Sequence, residues 1–133
     1  MSDQAGERTI LVVEDESDAR DWIVLCLEER GYRVLQASDG SKAICMIDEH
    51  IDEIDAGVFD IGLGKGPTGA DVANYLWRQR LEVPVIFCSG FPRDQLLKDR
   101  TIDKGDPFIS KPIDPEKLAA ALEIVLTALP AAS

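Results

Sequence analysis

Positive charge is scarce in this chain. Its 133 residues carry 14 Lys and Arg against 25 Asp and Glu, a formal net charge of −11. A field of that sign repels phosphate backbones and anionic lipid, which argues against direct binding to nucleic acid or a membrane surface. The acidity has two open readings: plain solubility, or a role with a divalent cation or basic partner. Cysteine is sparse as well. Cys26, Cys45 and Cys88 are odd in number, widely spaced and each set in an apolar run. That excludes a disulfide framework and a zinc-type pairing, and predicts buried free thiols in a reducing cytoplasm. The single histidine, His50, stands alone, which argues against a metal or catalytic role for it. No apolar stretch approaches the ~20 residues of a membrane span. The polar first eight residues do not read as a secretory signal. Internal repeats, low-complexity tracts and linkers are missing, so one domain is expected over residues 1–133, with its core at about 9–129.

What is present is an alternation. Hydrophobic residues make up 45% of the chain, enough for a domain of roughly this size to fold without disulfides or a structural metal. Thr9–Val13 (TILVV) is a short β-branched run, as expected for a strand buried on both faces. Residues 17–30 carry Ala19, Ile23, Cys26 and Leu27 at helical spacing, and Gly31 suits the position just past a helix end. A second strand is expected at Arg33–Ala37, then a helix over about Gly40–His50, capped by Asp39 and carrying Ala43, Ile44 and Ile47 inward. A third strand, Ala56–Asp60, runs into a Gly-rich loop. A helix follows at 70–80 with Val72, Ala73 and Leu76 inward, then a strand at 84–88. Residues 92–106 are charged and poorly periodic, so a helix there should be short or frayed. A short strand at 107–110 precedes Asp114-Pro115-Glu116, a strong helix start. The last helix carries Leu118, Ala121, Leu122, Val125 and Leu129 on one face, with Ile124 and Leu126 off that stripe. Trp22 and Trp77 read as partly buried core. Five βα units predict a parallel sheet with helices on both faces, and loose ends beyond it.

In open α/β sheets, ligands bind beyond the carboxyl ends of the strands. Those ends deliver Glu14 and Asp15, Asp60, Ser89, and Lys111 followed by Pro112. Carboxylates this close repel one another unless a cation sits among them or one takes a proton. They offer the oxygen-only donors of a Mg²⁺ site. A metal held there can orient a phosphoryl donor, one carboxylate can act as nucleophile, and an ammonium and a hydroxyl can steady the phosphoryl oxygens.

The same residues carry a resemblance. Val-Val-Glu14-Asp15-Glu, Phe59-Asp60-Ile-Gly-Leu, Phe-Cys-Ser89-Gly and Ser-Lys111-Pro112 resemble the four sequence blocks of two-component response-regulator receiver domains, in order and spacing. The resemblance runs from about residue 9 to 129. It implies a flavodoxin-like, doubly wound α/β fold with five parallel strands in the order 2-1-3-4-5. It implies Asp60 as phosphoacceptor, Glu14 and Asp15 as the acidic pair for Mg²⁺, and the Gly62 carbonyl as a further metal ligand. Lys111 becomes the site lysine, Ser89 the switch hydroxyl, and Phe108 the aromatic that changes rotamer with it. The expected function is to accept phosphoryl from a histidine kinase or histidine phosphotransfer protein. The first helix and the loop after strand 5 would face that partner. Action on an unknown downstream protein, or as a phosphate shuttle or sink, follows, with no output domain of its own. The protein is expected to be cytoplasmic, and a monomer or a weak dimer through the apolar residues off the last helix's stripe.

The sequence also departs from the usual receiver pattern. The loop after Asp60, Ile-Gly-Leu-Gly-Lys-Gly-Pro-Thr-Gly, is one residue longer than in many receivers. Phe87-Cys88-Ser89-Gly90-Phe91-Pro92 resembles the Phe-Ala-Thr-Gly-hydrophobic-Tyr block of a subgroup of alphaproteobacterial receivers with an irregular fourth helix. Phe108 lacks the hydroxyl of the usual Tyr. Gly62 and Phe91 occupy the two positions that flank the hydrolytic water in the family, and neither has a polar side chain. Three alternatives compete. An aspartyl-nucleophile phosphohydrolase of the haloacid-dehalogenase type needs a second Asp where Gly62 stands. A flavodoxin-like electron carrier would find its FMN phosphate repelled by Glu14-Asp15-Glu16. A degenerate receiver that only binds partners is disfavoured by the complete set of site residues.

Overall fold

Three strands form where the chain leaves no room for solvent, the one at Val85–Ser89 among them. β1 (Thr9–Val13) and β3 (Ala56–Asp60) are buried along their whole length. Each is flanked by strands and covered on both faces, so β-branched and aromatic side chains fill both sides. The structure, a computed structural model, describes residues 7–127. Its remaining elements are α1 (Ser17–Glu29), β2 (Arg33–Ala37), α2 (Gly40–His50), α3 (Gly69–Gln79), β4 (Val85–Ser89), α4 (Arg93–Lys98), β5 (Phe108–Ser110) and α5 (Pro115–Thr127). The sheet order is β2-β1-β3-β4-β5 and every pairing is parallel. This is the expected flavodoxin-like, doubly wound architecture.

Side-chain alternation splits the core in two. Leu11, Val13, Phe59 and Phe87 face α2, α3 and α4, meeting Ala43, Ile47, Val72, Leu76 and Leu96. Ile10, Val12, Val58 and Ile86 face α1 and α5, meeting Ile23, Leu27, Leu118 and Leu122. The register pairs Val13 with Phe59, Asp60 with Cys88 and Ser89 with Ser110. The carboxyl ends of β1, β3, β4 and β5 therefore finish at one edge.

The helix boundaries follow local chemistry. Asp39 accepts from the Lys42 N–H at 2.8 Å, and Asp114 accepts from the Glu116 N–H at 2.9 Å, as expected for caps. Gly31, at φ +90°, sits just past α1, and its N–H bonds the Glu28 carbonyl at 3.0 Å. One cap was not anticipated. Thr68 and Asp71 form a reciprocal capping box that starts α3 at Gly69. α4 has six residues and no side-chain cap, which matches the short helix expected in this charged stretch.

Several side-chain placements differ from expectation. Cys26 and Cys88 are buried free thiols, but Cys45 is exposed. It lies two residues from both Ala43 and Ile47, the buried positions of α2, and so on the opposite side of a 3.6-residue turn. Leu126 is buried at 6% exposure, because Leu118, Leu122 and Leu126 form one i, i+4 ridge. Ala121 and Val125 flank that ridge partly buried. Leu129 lies outside the described residues, as do most of the expected loose ends. Ile124 is 66% exposed and is left as the one apolar residue off the stripe, so the apolar dimer face loses half its basis. Trp77 packs against the core and donates to the Val83 carbonyl at 2.8 Å. Trp22 instead is 50% exposed. No helix among the described residues is long and apolar enough to cross a membrane.

Arg100 is the one non-glycine among the described residues with positive φ, at 60°. It follows the end of α4, where its N–H bonds the Leu97 carbonyl at 3.1 Å. A side chain in this left-handed conformation costs about 1 kcal/mol. Arg100→Gly should raise the urea midpoint by the equivalent of about 0.5–1 kcal/mol with an unchanged slope; a lower midpoint would contradict the strain.

Candidate functional site

The site starts with where β1 stops. Glu14 follows β1 directly, and its N–H bonds the Ala37 carbonyl of β2 at 3.1 Å. That bond carries the sheet one residue further and points the Glu14 side chain to the face of Ile10 and Val12. The carboxylate is 1% exposed. A carboxylate in such a place must be paired. Lys111 Nζ lies 2.7 Å from Glu14 Oε1, and the Glu16 N–H donates to Oε2 at 3.1 Å. Asp60 closes β3 and is also buried. Its Oδ2 accepts from the same Lys111 ammonium at 3.0 Å, and its Oδ1 from the Gly62 N–H at 3.2 Å.

Lys111 enters from the end of β5. Its backbone N–H bonds the Ser89 carbonyl at 2.9 Å, and a cis Lys111–Pro112 peptide follows. Burial would lower the pKa of this ammonium, but hydrogen bonds to Glu14 and Asp60 outweigh burial and hold it above the ordinary lysine value. Lys111 is therefore a full cation at neutral pH. Behind Asp60, burial pushes the Cys88 thiol up to about 12, with the Asp60 charge adding to the effect. Cys88 is consequently an inert thiol in the site's floor.

Asp15 completes the acidic set and is exposed. One carboxylate oxygen from each of Glu14, Asp15 and Asp60 lies within 4.8 Å of the others. The Lys111 ammonium pairs with two of these three carboxylates, Glu14 and Asp60, and leaves Asp15 without a counter-charge of its own. The set holds excess negative charge and oxygen donors alone, which fits a hard divalent cation such as Mg²⁺. Ser89 is buried at the end of β4, and its hydroxyl accepts from the Phe91 N–H at 3.0 Å. Phe108 does not reach the acidic set. It packs, half-buried, against the core on the α2–α3–α4 face.

Sequence reasoning missed Gly69. A Cβ at this position would lie 2.2 Å from the Asp60 carbonyl oxygen, so the loop after β3 must return to α3 through a residue with no side chain. The Gly69 N–H then bonds the Ile61 carbonyl at 3.2 Å. A Thr-x-x-Asp signature marks the helix start, but nothing local marks the contact with Asp60.

Residues 10–123 match the family described as "Response regulator receiver domain". The chain belongs to that family. Over 127 residues it is 31% identical to the sensor kinase CckA of Brucella abortus, covering 94% of this chain and 13% of that protein. The chain spans half or less of the length of the curated relatives it matches. A response regulator receiver protein from Sinorhizobium medicae superposes with a TM-score of 0.83 at 26% identity, covering 93% of this chain and 98% of that one. The receiver domain of the hybrid histidine kinase CckA superposes at 0.74 with 31% identity, covering 89% and 98%. The family consists of phosphoacceptor signalling domains rather than enzymes of the ordinary kind. Its members bind Mg²⁺ at an acidic pocket and interact with histidine kinases. This receiver brings carboxylate oxygens of Glu14, Asp15 and Asp60 together in a cluster of that chemistry.

Excess charge at the pocket has a measurable consequence. Asp15→Asn should raise the melting temperature of the metal-free receiver by about 2 °C, since it removes one of three crowded carboxylates. It should also abolish the further rise that MgCl₂ produces in the parent protein. A variant melting lower without metal, or responding fully to Mg²⁺, would contradict this assignment.

Proposed function

We propose that Asp60 is the phosphoacceptor of this receiver, with Glu14, Asp15, Asp60 and the Gly62 carbonyl holding Mg²⁺. One observation carries this reading: the Lys111 ammonium lies 3.0 Å from Asp60 Oδ2, beside an acidic cluster spanning 4.8 Å. An Asp60 oxygen attacks the phosphorus of a phosphohistidine, the P–N bond breaks, and the imidazole leaves with the electron pair. The metal, when bound, neutralises charge on the phosphoryl group. Lys111, kept fully protonated by its two carboxylates, steadies the phosphoryl oxygens as charge builds on them. The Ser89 hydroxyl, at the end of the neighbouring strand, supplies a further donor once it turns from the Phe91 N–H. Phe108, at the start of β5, would carry its part of a switch by packing rather than through a hydroxyl.

The phosphoryl source is a histidine kinase or phosphotransfer protein that docks at α1 and the β5–α5 loop. A groove of about 300 Å³ supports this face. It is lined by Ala19, Trp22 and Ile23 of α1, and by Lys111, Pro112 and Ile113 after β5. The half-exposed Trp22 belongs to this groove and not to the core. Signalling would then proceed by protein–protein contact on a changed surface.

Incubation with a small phosphodonor and Mg²⁺ tests the central claim. Intact mass should rise by one phosphoryl group in the parent protein and not in Asp60→Asn. Modification that survives the substitution would assign the acceptor elsewhere. The phosphoryl lifetime is a separate expectation. Gly62 and Phe91 bring no polar side chain to the hydrolytic water, and Phe91 is 65% exposed. Gly62→Asn and Phe91→Glu should each shorten the acyl-phosphate half-life several-fold by positioning that water, read by mass against time. Two unchanged half-lives would refute water positioning as the limit.

A further inference from the structure

We infer that Arg20 is a positioning residue for the metal pocket, acting through the peptide that carries Asp15. The inference rests on the Mg²⁺ reading of the Glu14, Asp15 and Asp60 cluster. The three carboxylates are held differently. Glu14 is fixed by Lys111 and the Glu16 N–H, and Asp60 by Lys111 and the Gly62 N–H. Among the described residues, the Asp15 carboxylate has no hydrogen-bond or ion-pair partner of its own. Its position is set by the backbone that bears it.

That backbone is clamped at two points. Glu14 N–H is tied to the Ala37 carbonyl at 3.1 Å. The Glu14 carbonyl, which belongs to the peptide joining Glu14 to Asp15, accepts from Arg20 Nη1 at 2.8 Å. Arg20 stands in the first turns of α1, where its own N–H bonds the Glu16 carbonyl at 2.9 Å. The guanidinium therefore ties the rigid start of a helix to the one peptide whose plane aims Asp15. Among the described residues Arg20 forms no ion pair. Its charge strengthens the bond to the carbonyl and is not spent on a carboxylate. Groups behind a metal ligand act in this way by holding the ligand in its binding orientation before the metal arrives.

Coulomb's law and positioning predict opposite signs for the loss of Arg20. Arg20→Met makes the chain one unit more negative, so charge alone would tighten Mg²⁺ binding. Loss of positioning weakens it. Calorimetric titration with MgCl₂, without phosphodonor and at a temperature where circular dichroism shows both proteins folded, separates the two. The dissociation constant of Arg20→Met should rise about tenfold, and Arg20→Lys, which keeps a cationic donor, should recover most of the affinity. Should Arg20→Met not fold, Arg20→Gln takes its place, being equally uncharged and too short to make the same bond. Binding as tight as the parent's, or tighter, in the uncharged variant overturns the inference. So does equal weakening in Arg20→Lys and Arg20→Met. A parent protein that takes no Mg²⁺ overturns the metal reading itself, whereas Asp60→Asn and its mass shift judge the phosphoacceptor claim independently.

Discussion

One ammonium holds two buried carboxylates from different strands, and the carboxyl edge of the sheet depends on it. Lys111 comes from the end of β5, Glu14 from the end of β1 and Asp60 from the end of β3. Without that cation, parallel strands in this register would bring like charges together in a place where water cannot screen them. The fold therefore tolerates its acidic site because it supplies its own counter-ion. On the function proposed above, the same group would also serve a phosphoryl group, whose oxygens carry the same sign as the carboxylates it already binds. On that proposal, structural role and chemical role are one charge seen before and after a ligand arrives.

The parts of this arrangement that were legible beforehand share a physical cause. β1, β2 and β3 matched their expected bounds, and β4 shifted by one residue to Val85–Ser89, because a short run of strand-forming residues between breaks in the pattern marks its own ends. The places of Glu14, Asp15, Asp60, Ser89 and Lys111 at the strand ends were legible because each lies at the end of such a run. The errors came where the deciding contact is distant or fine-grained. Leu126 was placed off the apolar stripe, since Leu118, Leu122 and Leu126 follow the four-residue ridge rather than the neighbouring one. Cys45 sits in an apolar stretch yet points outward, because composition does not resolve rotation about a helix axis. Gly69 and Arg20 matter through backbone carbonyls elsewhere in the chain, and a side chain's type says nothing about which carbonyl it meets. Thr68 could have been read from its Thr-x-x-Asp spacing to Asp71.

The two faces of the sheet divide the work. Behind β1, β3 and β4, the α2–α3–α4 side carries most of the large buried side chains, including Phe59 and Phe87. The α1–α5 side is where Asp60, Glu14 and Lys111 meet, and where the groove beside Trp22 opens. A partner reaching the acidic pocket along α1 would meet the same helix whose first turns tether the Asp15 peptide. Similarity to the Sinorhizobium medicae receiver, 26% identity with a TM-score of 0.83, fits this division. The backbone frame withstands extensive replacement, provided the strand ends stay aligned.

Gly69 gives the loop after β3 an unusual kind of freedom. Its two ends are pinned, one by the Gly62 N–H bond to the Asp60 side chain and the other by the Gly69 N–H bond to the Ile61 carbonyl. The two anchors lie on adjacent residues, Asp60 and Ile61. Changes of length or composition between them, as in the Gly64-Lys65-Gly66 tip, can be absorbed as a bulge without moving Asp60. The loop is thus a place where descendants of this chain can vary their surface beside the Asp60 carboxylate while its surroundings stay still.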